Sequence, residues 1–172
     1  MPERIARGFL PFYRLSVTVQ IFDDIAAFAS RLPERGALIG LDLGTKTIGI
    51  AVSDVMRRIA TPVETIRRQR FGLDYARLTA IMDDRETIGL IIGMPLNMDG
   101  SEGPRAQSTR AFAREVSRRT PVPIAFWDER LSTAWARDHL TEQNISLAKR
   151  QAVIDRVAAS HILQGALDKM AA

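Results

Sequence analysis

The sequence predicts an α/β fold in which a mixed five-stranded sheet carries helices on both faces. Three short apolar segments joined by turn residues come first, a pattern typical of antiparallel strands. Two more apolar segments follow, each preceded by a predicted helix, the first of which has apolar residues at helical spacing, as in parallel crossover connections. Two helical stretches come last, so the order is β-β-β-α-β-α-β-α-α.

Each strand is predicted from its own pattern. The first is apolar except for one acid, and Gly44-Thr45-Lys46 provides the turn into the second. The third should lie at an edge because Pro62 lacks a backbone donor, and the fourth should be central because it is almost entirely apolar. The strands are expected at residues 37–43, 47–54, 59–66, 87–95 and 122–129, and the helices at 73–85, 105–119, 133–143 and 147–169.

The chain of 172 residues is expected to form one domain with an N-terminal extension. Residues 1–36 are assigned to the extension, with one short helix at residues 23–32 that Pro33 ends. Residues 37–170 are assigned to the domain itself. No function is predicted for the extension.

Composition and charge narrow the class of protein. The absence of cysteine excludes disulfides, thiolate zinc sites and cysteine nucleophiles. No apolar run reaches the ~20 residues of a membrane span, and Pro11 and Arg14 interrupt the N-terminal apolar stretch, so a cytoplasmic protein without a membrane partner is expected. The net charge of +4 comes mostly from arginine, which suits a nucleic-acid partner but also an ordinary solvated surface.

Three acids occupy positions where acids are unfavourable. Asp42 interrupts an apolar strand, Glu129 ends another, and Asp155 lies in an apolar helical run. Each alone is compatible with a solvated acid. The first and last core strands are expected to be neighbours with the C-terminal helix over the same face, which would bring the three carboxylates together. Such a cluster favours Mg²⁺ or Mn²⁺, whose ions would activate water and stabilise the leaving oxygen of a phosphodiester.

Four segments resemble the YqgF/RuvX family of pre-16S rRNA nucleases, also described as Holliday-junction-resolvase-like. They are GLDLGTKTIGIAVSD (40–54), IIGMPLNMDGSEGPRA (91–106), DERLST (128–133) and IDRVAASHILQGALD (154–168). The resemblance implies an RNase H-like fold, a catalytic and metal-binding set of Asp42, Glu129 and Asp155, and trimming of the 5′ end of the 16S rRNA precursor. Thr47 departs from the family, in which a basic residue is common at that position.

Five further residues are expected to bind substrate. Lys46 lies in the first turn, Asn97, Ser101 and Arg105 lie in or just after a glycine-rich loop, and Arg130 follows Glu129. The loop is predicted to be mobile and to grip nucleic acid.

Two glycines and one helical stripe each have a structural and a functional interpretation. Gly44 and Gly49 either let the backbone approach a phosphate or metal-bound water or serve turn geometry, which would require a positive φ at Gly44 and is the favoured interpretation of Gly49. Arg110, Arg114 and Arg118 form a helical stripe that suits either a nucleic-acid backbone or solvent.

Three alternative functions remain open on the residues alone. The first is a Holliday junction or other DNA as the substrate. A homodimer would suit the symmetry of a junction, but no feature of the sequence separates a homodimer from a monomer. The segment DLGTKTIG is also similar to the phosphate-binding hairpin of actin-like ATPases, although 172 residues leave room for one such domain rather than two. A non-catalytic nucleic-acid-binding module is the third alternative, but it would gain nothing from acids beside phosphate.

Overall fold

The computed structural model of the chain describes residues 21–131 and 147–172. The strands are β1 (Ile21–Phe22), β2 (Ala37–Leu43), β3 (Thr47–Ser53), β4 (Ala60–Arg67), β5 (Thr87–Met94) and β6 (Ile124–Asp128). The helices are α1 (Ile25–Ala29), α2 (Phe71–Asp84), α3 (Pro104–Ser117) and α4 (Leu147–Ala171), and a 3-10 turn spans Glu129–Leu131. The five predicted strands and α2, α3 and α4 are confirmed. The helix predicted at 133–143 lies outside the described residues.

The strands form a mixed sheet in the order β1-β6-β5-β2-β3-β4. The β2-β3-β4 part is antiparallel, whereas β2, β5, β6 and β1 run parallel to one another. The described residues therefore give six strands where five were predicted. The additional strand, β1, has two residues and pairs with β6 at the sheet edge, and two residues are too few to produce an alternating pattern in the sequence.

The expectation that the first and last core strands are neighbours was wrong. Strand β5 lies between β2 and β6. The reason is that the hairpin with β3 already occupies one side of β2, so β5 takes the free side and β6 must add beyond it. An acid at the end of β6 therefore has to reach across β5 to approach an acid on β2.

Helices cover both faces of the sheet, as predicted. One face packs against α2 and α3 through a core that includes Ile39, Ile50 and Ile92. The other face packs against α4, with Leu38 and Leu163 fully buried between them. No helix in residues 21–131 or 147–172 is long and apolar enough to span a bilayer.

Residues just before β2 also contribute to this structure. Asp24 caps α1 by accepting from the backbone N–H groups of Ala26 and Ala27 at 3.0 and 3.4 Å. Phe28 on α1 is fully buried in the core beneath α4. The helix is shorter than the predicted 23–32, and it joins β1 in covering the β6 edge of the sheet.

Candidate active site

The three predicted acids come from a strand, a 3-10 turn and α4, and all three lie on the face of the sheet that α4 covers. Successive residues of a strand point to opposite faces of the sheet. On β2, Leu38 belongs to the core under α4, and Ile39 and Leu41 belong to the opposite core. Asp42, an even number of residues after Leu38, therefore faces α4. By the same alternation Ala125 on β6 faces α4, and Glu129 follows it by four residues in the 3-10 turn. Asp155 comes from α4 itself.

Asp42 lies near the carboxyl end of β2 and experiences the charges of both other acids. Burial, together with the negative charges of Glu129 and Asp155, raises the pKa of Asp42 to about 7, against the smaller lowering effect of the Arg105 guanidinium. The three carboxylates therefore share one electrostatic environment, with Arg105 at its border. A positive charge placed beside a carboxyl group with a raised pKa stabilises its ionised form.

Asp155 is buried on α4, with 6% of its surface exposed, and both of its carboxylate oxygens accept hydrogen bonds. The Thr47 hydroxyl donates to Oδ2 at 2.6 Å, and the Gln151 amide, one helical turn earlier, donates to Oδ1 at 2.7 Å. In the sequence, Thr47 stands out only as a departure from the family pattern, and Gln151 does not stand out at all. Their contact with Asp155 joins the start of β3 to α4.

Glu129 reaches toward the middle of the sheet over a glycine. A Cβ at Gly93 on β5 would lie 2.6 Å from Glu129 Oε1. The missing side chain at Gly93 therefore leaves the space through which Glu129 extends across the strand that separates β6 from β2. Burial raises the pKa of Glu129, Arg105 lowers it, and Asp128 adds a smaller raising effect.

Gly49 allows α4 to lie directly against β3. It pairs with Asp42 across the hairpin, and a Cβ at Gly49 would lie 2.0 Å from the backbone oxygen of Asp155. Gly49 is therefore required for close approach, not for a turn. A glycine inside a predicted strand is the sequence signal for such an approach.

The oxygen donors suit a hard divalent cation, but they do not form a finished coordination shell. Among residues 21–131 and 147–172, no three acidic or histidine side chains are grouped closely enough to hold one ion. The Asp155 carboxylate faces Thr47 and Gln151, while Asp42 has a raised pKa because it is buried and lies close to two other negative charges. Ligand type and electrostatics thus fit Mg²⁺, and the carboxylates would have to draw together around it.

The five predicted substrate contacts lie in different surroundings. Arg105 is in the first turn of α3 and acts electrostatically on both Asp42 and Glu129. Lys46 is exposed in the β2-β3 turn, which is closed by a 2.9 Å bond from Gly44 N to the carbonyl of Thr47. The positive φ that was expected at Gly44 is not found, and the bond from Gly44 to Thr47 closes the turn at a negative φ.

The loop before α3 is held by bonds among its own side chains. The Asn97 amide donates to Ser101 Oγ at 2.9 Å, and the Ser101 hydroxyl donates to Asp99 Oδ1 at 2.6 Å. Met98, at the loop apex, is 90% exposed. The two predicted phosphate donors of this loop are therefore already engaged with each other.

Arg130 connects this loop to the end of β6. Its guanidinium forms a paired contact with Asp128, with Nη2 at 2.7 Å from Oδ2, and Nη1 donates to the carbonyl of Met98 at 3.2 Å. The pairing with Arg130 lowers the pKa of Asp128. Arg130 thus holds the backbone that precedes and includes Glu129 against the loop.

Much of the arginine stripe on α3 is paired with acids. Arg110 bonds to Glu102 and Asp23 and lies 4.8 Å above the ring of Phe126. Arg118 pairs with Glu115. These contacts favour the interpretation of the stripe as a solvated, self-paired surface.

Comparison with known proteins identifies the family. The sequence model of the RuvX family, described as "Holliday junction resolvase", matches residues 36–169. A protein of Ruegeria pomeroyi named "Putative pre-16S rRNA nuclease" is 59% identical over 150 residues, covering 87% of this chain and 97% of that protein. A Bradyrhizobium protein of the same name is 62% identical over 143 residues, covering 83% of this chain and 89% of that protein.

A solved structure supports the fold. T. thermophilus RuvC, determined in complex with a Holliday junction substrate, superposes with a TM-score of 0.50 at 12% identity, covering 78% of this chain and 96% of that chain. At this identity the likeness concerns the RNase H-like fold alone. With the family match extending over residues 36–169 and relatives near 60% identity, the chain belongs to the RuvX family.

Proposed function

We propose that the chain is a metal-dependent nuclease that hydrolyses phosphodiester bonds of nucleic acid and acts on the precursor of 16S rRNA. The observation that carries the proposal is the accumulation of three carboxylates on the α4 face of the sheet, where Asp42 has a pKa of about 7. Without a cation, this arrangement costs folding free energy. The names of the relatives from Ruegeria pomeroyi and Bradyrhizobium support the choice of RNA substrate.

In this proposal Asp42, Glu129 and Asp155 hold Mg²⁺ or Mn²⁺ through their carboxylate oxygens. When bound, the metal would supply a nucleophilic water at neutral pH and would stabilise the charge of the leaving oxygen. Asp42 binds as the ionised carboxylate and therefore gives up the proton that burial favours in the metal-free protein. Arg105 then has a phosphate rather than two carboxylates as its partner.

The remaining substrate contacts follow from their positions. Lys46 is exposed beside the end of β2 and presents a point charge to phosphate. Asn97 and Ser101 would exchange their mutual bond for contacts to the nucleic acid, and Arg130 would keep the loop beside Glu129 while they do so. We further propose that the enzyme works in the cytoplasm and that residues 37–170 form the catalytic domain.

The decisive experiment is incubation of the purified protein with precursor 16S rRNA fragments in Mg²⁺. We expect the wild type to cleave them and Asp42→Asn to leave them intact, because Asn cannot supply an anionic metal ligand. RNA binding should be largely retained in Asp42→Asn. The matched control is Asp84→Asn. Asp84 is an exposed acid on α2 that forms an ion pair with its neighbour Arg85. Cleavage by Asp42→Asn at the wild-type rate, or full wild-type activity in a chelator, would contradict the proposal.

A DNA junction is the second candidate substrate. The description of the family model as a Holliday junction resolvase favours it. The same variants distinguish the two by parallel assays on rRNA precursor and on a synthetic four-way junction. Cleavage of the junction alone, with loss in Asp42→Asn, would assign the site to DNA.

A further inference from the structure

Two polar side chains outside the acid set hold the carboxylate of Asp155. Thr47 is the first residue of β3, and Gln151 lies four residues before Asp155 on α4. Each donates to a different oxygen of the carboxylate, at 2.6 Å and 2.7 Å. Two bonds to two oxygens from two different elements fix the plane of the carboxylate as well as its position.

The surroundings make these two bonds effective. Asp155 is buried, and hydrogen bonds to a charged acceptor are stronger than those between neutral groups. The backbone of Asp155 also lies directly against β3, because Gly49 has no side chain that would separate the two elements. The Asp155 carboxylate is therefore held by its backbone, by Thr47 and by Gln151.

We propose that Thr47 and Gln151 are positioning residues that orient Asp155 for the divalent cation of the active site. This inference rests on the proposed function, because it assigns their role through a metal ligand. A carboxylate oxygen has two lone pairs, so Asp155 can accept from Thr47 and Gln151 while also ligating a metal. Partners of this kind fix the direction from which a ligand meets its metal.

The test compares variants that remove one donor with variants that remove an equivalent bond elsewhere. Thr47→Val deletes the hydroxyl without changing the shape of the side chain, whereas Thr47→Ser retains it. Thr65→Val is the matched control, because the Thr65 hydroxyl on β4 also bonds to α4, at 2.5 Å, but to the backbone carbonyl of Ala152. Both valine variants lose one strand-to-helix bond, and only the first loses a bond to Asp155.

A second pair of variants tests the amide. Gln151→Met removes the donor to Asp155. The control Gln164→Met removes an amide-carboxylate bond of the same i to i+4 spacing, to Asp168 at 2.8 Å, and also the bonds of Gln164 to Ala60 N and to the Arg58 carbonyl, so it is the more disruptive change to α4. The measurements are Mn²⁺ binding to the RNA-free protein by calorimetry, the Mg²⁺ concentration for half-maximal cleavage, and KM for the RNA. Binding of Mn²⁺ alone does not depend on activity.

We expect Thr47→Val and Gln151→Met to weaken Mn²⁺ binding by about 10- to 100-fold and to raise the Mg²⁺ requirement correspondingly. KM for RNA at saturating Mg²⁺ should stay near that of the wild type, and Thr47→Ser, Thr65→Val and Gln164→Met should bind Mn²⁺ normally. Equal Mn²⁺ affinity in Thr47→Val and Thr65→Val, with Gln151→Met also unchanged, would overturn the inference. If Thr47→Val does not fold, Gln151→Met against Gln164→Met decides. A wild type that binds no Mn²⁺ and cleaves no RNA would instead end the proposed function itself.

Discussion

Asp42 carries an electrostatic cost that the proposed metal ion would offset. An acid whose pKa stands at about 7 binds a proton in the folded, metal-free protein at a pH where the unfolded chain does not. The first cause is burial, followed by the charges of Glu129 and Asp155. The electrostatic cost of this residue therefore depends on pH, and it can be measured without any substrate.

The contribution of Asp42 to the stability of the metal-free protein should become less favourable as the pH rises from about 4 to 8. Between the ordinary value of 3.8 and the folded value of about 7, the folded state holds the proton and the unfolded state does not, so raising the pH favours unfolding. Asn at this position resembles the protonated acid. Asp42→Asn should therefore match the wild type near pH 4 and exceed its free energy of unfolding by up to about 4 kcal/mol at pH 8.

Urea denaturation in chelator at several pH values measures this difference. The control is again Asp84→Asn, whose curve should run parallel to that of the wild type. A constant offset between wild type and Asp42→Asn from pH 4 to 8 would mean that Asp42 does not titrate in this range.

At the same scale, the sequence revealed the acids but not the side chains that hold them. Asp42 and Asp155 are conspicuous because each interrupts an apolar pattern. Thr47 and Gln151 interrupt nothing, since Thr is common in strands and Gln on helices. The bond from Thr47 to Asp155 joins residues 108 positions apart, and only the packing of α4 on β3 brings them together.

At the scale of helices and strands, the geometry of the site depends on the packing of α4 against β3. Short apolar runs were enough to predict β2 and β5 as buried strands, and alternation was enough to predict β3. These patterns could not predict that β5 would separate β2 from β6, because pairing order is a property of the assembled sheet. The patterns also could not show what two strand glycines do: Gly49 lets α4 lie against β3, and Gly93 leaves the space into which Glu129 extends.

Gly49→Ala should separate α4 from β3. The added Cβ would lie 2.0 Å from the backbone oxygen of Asp155, and neither backbone can move aside as a flexible side chain would. We expect a loss of more than about 3 kcal/mol in the free energy of unfolding, together with loss of cleavage. Thermal or urea unfolding measures the first effect.

Gly72→Ala is the control for that substitution. Gly72 lies in the first turn of α2, and a Cβ there meets nothing within 4 Å. Alanine should stabilise the protein by up to about 1 kcal/mol because it restricts the unfolded chain. Equal stability of the two alanine variants would contradict the close packing of α4 on β3.

For the molecule as a whole, the segment before β2 is part of the packing of the described structure. Strand β1 extends the sheet past β6, and Phe28 of α1 is buried against the sheet and α4. The sequence predicted the α1 helix but gave no sign of β1, because the pairing of β1 with β6 joins segments about one hundred residues apart.

Phe28→Ala should destabilise the protein by about 3–5 kcal/mol, because it empties a fully buried site. Leu73→Ala, at a position on α2 that is 44% exposed, should change stability by less than about 0.5 kcal/mol. Unfolding temperatures of the two variants and the wild type check both values. A Phe28→Ala protein that melts with the wild type would show that α1 does not support the core.

The distance in sequence between Gly49 and Asp155 also has a consequence during synthesis. A nascent polypeptide emerges from the ribosome with the first hairpin long before α4, and domains begin to fold as they appear. The hairpin then presents Asp42 to solvent while its later partners have not yet been translated. If Asp155 has the role we propose, hydrolytic competence is a late event in the biogenesis of the molecule, acquired when α4 docks.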